Sequence, residues 1–516
     1  MLLEAENNYL HRRLAELTAR LERALGSDRA NLQMEIELLK EQLAARVRDI
    51  YGASSERRPR PKDGQPESSE EDTSQKNESN CEKAQTGHGP RQQSLPVVEE
   101  VYELDEADKV CPKCGRLLRE MEGQYEESEE VDVVEREFRI RKDRRKKYHC
   151  DCGACVETAI GADKLIPGGR YSVRFATCVA IAKYADHMPL QRQVRQMARQ
   201  GLVVDSQTLW DQTWALAQHL WPTHEAIFVY VSSQPVIGAD ETTWPLMETG
   251  KTTKWWAWAI CCDNAVYYRI LEHRSAAAGR EMLAGYSGIV VADGYGVYGA
   301  LAEGEACIQT QIETSPRPAE LAPAGTTTAR PAPAFTLANC WGHVRRKWLE
   351  AEHNPAACEV VEMIGELYGV ERRAREADVD DKLKHLAELR RTESAEIVRR
   401  IRERMIGLKF LDKSALGKAA KYTNDLWPGL TRFLDDPRIP LDNNQTERGM
   451  RPLALGRKNH YGSRSVRGTK VAALFYTLIE TARLAGREPQ AYIREAARRA
   501  IRNPGAVTMP WDIDSS

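Results

Sequence analysis

The sequence predicts a multidomain α+β protein. Three observations carry that reading. Leucines recur at helical spacing over residues 1–50, two cysteine clusters lie between 111 and 155, and at residue 236 helical periodicity gives way to short β-rich runs. At 516 residues the chain is long enough for several domains and a sizeable core.

Residues 1–50 form the first element. Leu3, Leu10, Leu14, Leu17 and Leu21, then Leu32, Ile36, Leu39 and Leu43, make an apolar seam of the coiled-coil kind. Gly26-Ser27-Asp28 breaks the register, which leaves either a helical hairpin or one long rod. No core-forming segment follows directly, so the seam points to a homo-oligomer. Residues 51–98 are Ser, Glu, Pro, Gln and Lys with almost nothing apolar. Such a composition cannot offset the entropy of ordering, and a disordered linker is expected.

Residues 99–165 carry Cys111-Pro112-Lys113-Cys114-Gly115, then Cys150, Cys152 and Cys155. Two cysteines so spaced, with a glycine behind, make a thiolate knuckle suited to tetrahedral Zn²⁺. Cys152 and Cys155 repeat the spacing of Cys111 and Cys114; Cys150 is the alternative ligand, and His149 could stand in for a thiolate. The strand-like EEVDVVEREFRIRKDRRKKYHC between the knuckles fits a zinc ribbon. Over residues 166–232 the chain reads as helical. LQRQVRQMARQGL followed by Ser206-Gln207-Thr208-Leu209 gives a helix, a glycine turn and a Ser-capped second helix. That is helix-turn-helix spacing, which ordinary helical hairpins share.

Residues 233–460 hold the sheet. VIGADETTW, KWWAWAICC and AVYYRILEH are three β-rich runs, SAAAGREMLAGY is helical, GIVVADGYGVY is a fourth strand and FTLANCWGH a fifth. The low-complexity stretch 308–334 is a loop, and 344–430 is a charged, Ala- and Leu-rich helical insertion. Residues 461–516 supply two more helices, VAALFYTLIETARLAG and QAYIREAARRAIR. The order β-β-β-α-β with an Asp on the first and fourth strands is a ribonuclease-H-like arrangement, in which both carboxylates reach one edge.

Three acidic residues stand out: Asp240 and Asp293, at the ends of apolar runs, and Glu447, which opens a basic helical run. Hard Mg²⁺ or Mn²⁺ takes oxygen ligands, and such a trio suits two-metal phosphoryl transfer. Each residue also has a plainer explanation. Asp240 and Glu241 fit a turn, and strand alternation lets only one of them face a site. Asp293-Gly294 is a common turn pair, and Glu447 fits a capping box behind Asn444. Around Glu447 lie Arg448, Arg451, Arg457 and Lys458; Arg451 shares the Glu447 helix face. Cys340 and His343, with Arg345, Arg346 and Lys347, follow the fifth strand, where they are better placed to orient DNA than to bind metal.

Net charge is −2, yet residues 445–503 hold 13 Lys and Arg against 4 acidic residues, a footprint for a polyanion beside the carboxylates. No apolar run is long enough to span a membrane, and MLLEAENNYLHRRL lacks the apolar core of a signal peptide. A cytoplasmic, nucleoid-associated protein is expected, its twelve cysteines serving as metal ligands or small buried residues rather than disulfides.

With these motifs in view, the chain resembles the bacterial transposases of the insertion-sequence-sixty-six family. The likeness runs through YGASSER, CPKCG, KYADHMPLQRQ, ADETTW, ADGYGVY, CWGHVRRKW and RIPLDNNQTERGMRPLALGRKN to YTLIETARLAG. It implies a DDE triad carried by Asp240, Asp293 and Glu447, a Cys-x-x-His signature carried by Cys340 and His343, and a helical insertion before the Glu. The implied activity is metal-dependent cleavage of double-stranded DNA at element ends, then attack of the 3′-hydroxyl on target DNA, with accessory proteins from the same element as further partners. Two rival readings are a nuclease of the same fold that cuts without joining, and a zinc-ribbon DNA-binding regulator with an inactive core. The extra cysteine at 150–155 and the stretch 308–334 depart from the family pattern.

Overall fold

The computed structural model describes residues 2–23, several positions between 33 and 43, Arg116, and residues 137–149, 156–302 and 335–513. The linker 51–98, the loop 308–334 and the cysteines Cys111, Cys114, Cys150, Cys152 and Cys155 lie outside the described residues.

Helix α1 spans Leu2–Arg23. Leu10, Leu17, Ile36 and Leu39 are buried together, with Leu14 and Leu43 packed on them, and Arg13 pairs with Glu35 at 3.7 Å. The two halves of the seam thus pack against each other within the chain; Gly26-Ser27-Asp28 lies outside the described residues. Strands β1 (Lys147–His149) and β2 (Val156–Thr158) pair antiparallel and bracket the second cysteine cluster. The first part of the strand-like run expected there lies outside the described residues; within it, residues 137–146 have no regular structure and Lys147–His149 is strand. Residues 139–148 are all exposed and mostly basic, and offer no apolar face to hold a strand in a sheet.

Helices α2 (Val173–Tyr184), α3 (Leu190–Arg199) and α4 (Ser206–Ser232) share a core of Val179, Met197 and Leu209. The turn after α3 uses Gly201 at φ +81°, a left-handed value that suits glycine. Asp205, not Ser206, caps α4: its carboxylate accepts Thr208 N at 2.6 Å. A carboxylate suits the positive end of a helix, and Ser206 Oγ is engaged by Gln191 Nε2 of α3 at 2.9 Å.

The sheet comprises β3 (Val236–Glu248), β4 (Lys251–Cys261), β5 (Val266–Leu271), β6 (Ile289–Ala292) and β7 (Thr336–Asn339), with α5 (Ala276–Met282) and α6 (Gly296–Ala302) between strands. Strand order is β5-β4-β3-β6-β7; the first three are antiparallel neighbours, and β6 and β7 run parallel to β3. Three boundaries differ from expectation. Asp240 does not end its strand, because β3 stays paired to β4 as far as Glu248 after it parts from β6. GIVVADGYGVY is strand only to Ala292, since Tyr295-to-Tyr298 bonding turns the chain into α6. In FTLANCWGH only Thr336–Asn339 is strand, and Trp341 opens the next helix.

After β7 and before the basic helix come α7 (Trp341–Leu349), α8 (Pro355–Glu376), α9 (Lys382–Leu389), a π turn (Arg390–Ser394), α10 (Ala395–Ile406), α11 (Ala415–Asp425) and α12 (Trp427–Thr431). They pack around Trp341, Trp348, Ile364, Leu367 and Ile401, all fully buried. Helices α13 (Asn444–His460), α14 (Val466–Leu484) and α15 (Pro489–Arg502) complete the chain. The hydroxyls of Thr477 and Thr481 on α14 accept the amides of Tyr268 and Val266 at 3.0 and 3.2 Å. Those amides lie on the outer edge of β5, so the helix covers an edge that would otherwise invite another strand. No helix among the described residues is long and apolar enough to cross a membrane.

Helix α13 lies tight on β3 at Gly238. A Cβ there would meet Thr446 Oγ1 head-on and come within 2.7 Å of Asn443 Oδ1. Gly238→Ala is therefore expected to destabilise the fold by about 1–3 kcal/mol, as overpacking does. Urea unfolding checks this; an unchanged midpoint would mean that α13 lifts off β3 at no cost.

Candidate active site

The site starts from strand register. Gly238 of β3 stands opposite Val291 of β6. Two residues further on, Asp240 lies on β3 and Asp293 just past the end of β6, so the register brings both carboxyl groups towards one end of the paired strands. Asp293 lies just past β6, where its Oδ1 accepts Tyr295 N at 2.9 Å and its carbonyl accepts Asn339 Nδ2 at 3.2 Å. Asp240 and Gly238 share one face of β3, the face that α13 covers; Glu241 points to the other.

Helix α13 brings the third carboxylate. Asn443 precedes the helix and makes no capping bond to it, so the expected cap at Asn444 does not form. The Asn443 side chain serves the strand instead: its Nδ2 donates to Ala239 O at 2.9 Å, and its Oδ1 accepts Thr446 Oγ1 at 2.5 Å. Thr446 Oγ1 also meets Cys261 Sγ of β4 at 2.9 Å. Glu447 is the next residue. Its Oε1 lies 3.4 Å from His343 Nε2 and its Oε2 3.6 Å from Arg346 Nη2, both on α7. Helix α7 is itself joined to the loop before α13: Asn443 N donates to Cys340 Sγ at 3.2 Å and Trp341 N to Leu441 O at 3.1 Å. Cys340 is buried, and burial pushes its thiol up to about 11, so it serves as a neutral acceptor in this joint.

Charge in the site is unbalanced. Burial, with repulsion from the Glu241, Asp293 and Glu447 carboxylates, pushes Asp240 up to about 7. Burial lowers His343 more than Glu447 raises it, and His343 Nδ1 is buried with no partner. A carboxyl held up by burial among neighbouring carboxylates belongs to a donor set that a hard divalent cation relieves. Among the described residues no three acidic, His or Cys side chains are already closed around one point, since Glu447 is turned towards His343 and Arg346.

The basic residues divide. Arg345, Arg448, Arg451 and Lys458 are exposed on α7 and α13. Arg457 is turned inward: its Nη1 donates to Thr242 Oγ1 and Thr243 Oγ1 at 2.8 Å each and to Thr243 O at 2.6 Å, bracing α13 on β3. Gly238 and Thr446 were not singled out by sequence pattern, although a glycine in an apolar strand and polar residues ahead of an acidic one are signs of close helix–strand contact. Nor were Arg274, Tyr295, Tyr298 and Tyr422, which no local pattern marks.

Residues 168–471 match the family described as "Transposase IS66 family". The chain belongs to that family. Residues 108–153 match the "zinc-finger binding domain of transposase IS66", a span that holds Cys111, Cys114, Cys150 and Cys152 and stops before Cys155. Among relatives, the chain is 30% identical over 444 residues to the uncharacterized protein y4qI of Sinorhizobium fredii, covering 82% of this chain and 77% of that one. It is 29% identical over 431 residues to the uncharacterized protein y4jD of the same organism, covering 79% of each. An IS66 transposase domain implies a transposase enzyme that uses divalent metal, and the zinc-finger domain implies zinc.

The raised Asp240 carboxyl has a stability consequence. In the unfolded chain an Asp ionises near about 3.9; in the folded, metal-free protein Asp240 does so at about 7. Between these values the folded state holds the extra proton, so stability falls as pH rises. Asp240→Asn removes that contribution and should gain on wild type by about 1–3 kcal/mol between pH 4 and pH 8. Denaturant unfolding across that range tests it, and a pH-independent difference would remove the repulsion from the account.

Proposed function

We propose that this IS66-family chain is a DDE transposase with a ribonuclease-H-like core, in which Asp240, Asp293 and Glu447 form the catalytic trio. The observation that carries the reading is the strand register: Asp240 and Asp293 follow paired residues of adjacent parallel strands, and α13 docks Glu447 beside them. The strand order β5-β4-β3-β6-β7, antiparallel then parallel, is the order that a ribonuclease-H-like core requires.

Asp240, Asp293 and Glu447 would hold Mg²⁺ or Mn²⁺, which when bound activates the attacking oxygen and stabilises charge on the leaving one. The protein's own share is placement. Asp240 is fixed by a long central strand and Asp293 by the Tyr295 amide. Glu447 sits at the positive end of α13, where a carboxylate is favoured, and His343 and Arg346 hold its oxygens until it is needed elsewhere. Exposed Arg345, Arg448, Arg451 and Lys458 ring this edge and suit the phosphates of element-end and target DNA. No covalent enzyme intermediate is called for, because positioning and charge stabilisation suffice. Zinc would be held by Cys111, Cys114 and two of Cys150, Cys152 and Cys155. Self-association would run through the leucine-bearing N-terminal segment.

Asp240→Asn, Asp293→Asn and Glu447→Gln should each abolish cleavage and strand transfer while DNA binding stays near normal, since each keeps shape but removes a charged ligand. The assay uses an element-end duplex with and without a pre-cleaved 3′-hydroxyl end; near-normal turnover in any one variant removes that residue from the trio, and cutting without joining favours a nuclease.

Across a salt series, Arg451→Ala should flatten the dependence of DNA affinity on log salt by about one unit, because one DNA phosphate is left without its cation. Arg457→Ala should leave the slope unchanged and lower stability, because its guanidinium is engaged by Thr242 and Thr243. The reverse result would exchange their roles. Serine replacement of Cys150, Cys152 and Cys155 in turn should leave one variant with normal zinc content; zinc-free wild-type protein would end the zinc assignment.

A further inference from the structure

We propose that Glu241, the neighbour of Asp240, is a positioning residue that acts through Arg274 and two tyrosines to hold Asp293 in place. The proposal rests on the reading of Asp240 and Asp293 as a metal-holding pair.

Glu241 points away from α13, and its side chain is 1% exposed. Burying a carboxylate is costly unless it is paired and hydrogen-bonded. Here both oxygens are engaged. Arg274 Nε and Nη2 donate to Oε1 at 2.8 and 2.6 Å, and the Tyr298 hydroxyl donates to Oε2 at 2.6 Å. Arg274 lies in the connection between β5 and α5, and Tyr298 on α6. The guanidinium also stacks on Tyr295, 3.7 Å from the ring centre, and lies 5.1 Å from that of Trp256. Tyr295 closes the circuit at both ends: its hydroxyl donates to Arg274 O at 2.9 Å and its amide donates to Asp293 Oδ1 at 2.9 Å.

Two arms therefore leave Glu241, one through Arg274 and Tyr295, one through Tyr298, and both end in the segment 293–298. That segment follows the short strand β6, which stops at Ala292 and leaves Asp293 outside the sheet ladder. Packing alone would be met by an apolar residue at 241, often at no cost in stability. What the ion pair adds is a fixed geometry for the second carboxylate, set from the same strand that carries the first. Partners of ligating groups commonly change metal affinity by about ten- to a hundredfold when removed.

The test is Mn²⁺ binding to the full zinc-loaded chain without DNA, followed by water proton relaxation, with thermal unfolding measured on each variant. Glu241→Gln and Arg274→Gln should each weaken Mn²⁺ binding about tenfold, and the double variant little more than either, because they break one circuit. Tyr298→Phe, the mildest change, should weaken it a few-fold and serves where Glu241→Gln fails to fold. A lower unfolding temperature with unchanged Mn²⁺ affinity would reduce the network to packing. Tighter binding in Arg274→Gln, with weaker binding in Glu241→Gln, would make Glu241 a ligand and overturn the proposal. Asp293→Asn is the reference: if it binds Mn²⁺ as wild type does, the site reading falls and takes this proposal with it. A loss in Asp293→Asn with none in Glu241→Gln strikes down the positioning role alone.

Discussion

The close approach of α13 to β3 is the constraint on which the site depends. Gly238 has no side chain, and the space that a Cβ would need is filled by Thr446 and Asn443. Asn443 then bonds the Ala239 carbonyl, and Thr446 meets the Cys261 thiol on the next strand. These bonds fix the first turn of α13 against the sheet one residue before Glu447. Without them the first turn of α13, some two hundred residues from Asp240 in sequence, would lose its direct bond to β3 beside Glu447. Cys340 extends the same joint to α7, so a motif that looks like a metal pair in sequence is in part a hinge pin between two helices.

Charge is distributed around this joint with a clear division. Glu241 has both oxygens engaged, by Arg274 and Tyr298, although burial still raises its carboxyl. Asp240, one residue away on the opposite face, is pushed up to about 7 by burial and by repulsion from neighbouring carboxylates. Packing elsewhere is ample: Trp244, Trp258, Trp341 and Trp348 are wholly buried.

Much of this was legible in sequence. β-rich runs of the right spacing identify β3, β4 and β5, and the three acidic residues stand out because each breaks an apolar or basic pattern. Boundaries were not legible, for a tertiary reason. β3 continues past Asp240 because β4 remains beside it, and β6 stops at Ala292 because the chain must turn into α6. The Asp205 cap was missed because Ser206 is an equally good cap by type, and only its bond with Gln191 takes it away. Arg457 reads as one more surface cation until β3 is seen to supply three acceptors. Residues such as Tyr298 and Tyr422 reach the site from elements whose position sequence periodicity does not encode.

The helical insertion bears on the site rather than merely interrupting it. On α11, Tyr422 packs closely on Gly294: a Cβ there would lie 2.6 Å from its hydroxyl, so the turn after Asp293 is shaped against the insertion. Asn339, which donates to the Asp293 carbonyl, packs so closely on Gly429 of α12 that no side chain fits there. Trp341 donates to Leu430 O at 2.8 Å. At the far end, Arg390 is buried; it pairs with Glu371 and gathers the carbonyls of Phe433, Asp436 and Ile439 at 2.9, 3.3 and 3.0 Å. Those carbonyls lie on the return path to Leu441 and α13. Arg390 thus ties the core of the insertion to the segment that delivers Glu447, while Tyr422 and Gly429 tie it to the segment that delivers Asp293. The insertion spans the gap between two carboxylates that share no strand, and this gives an all-helical block in the middle of a sheet domain a physical reason to be there.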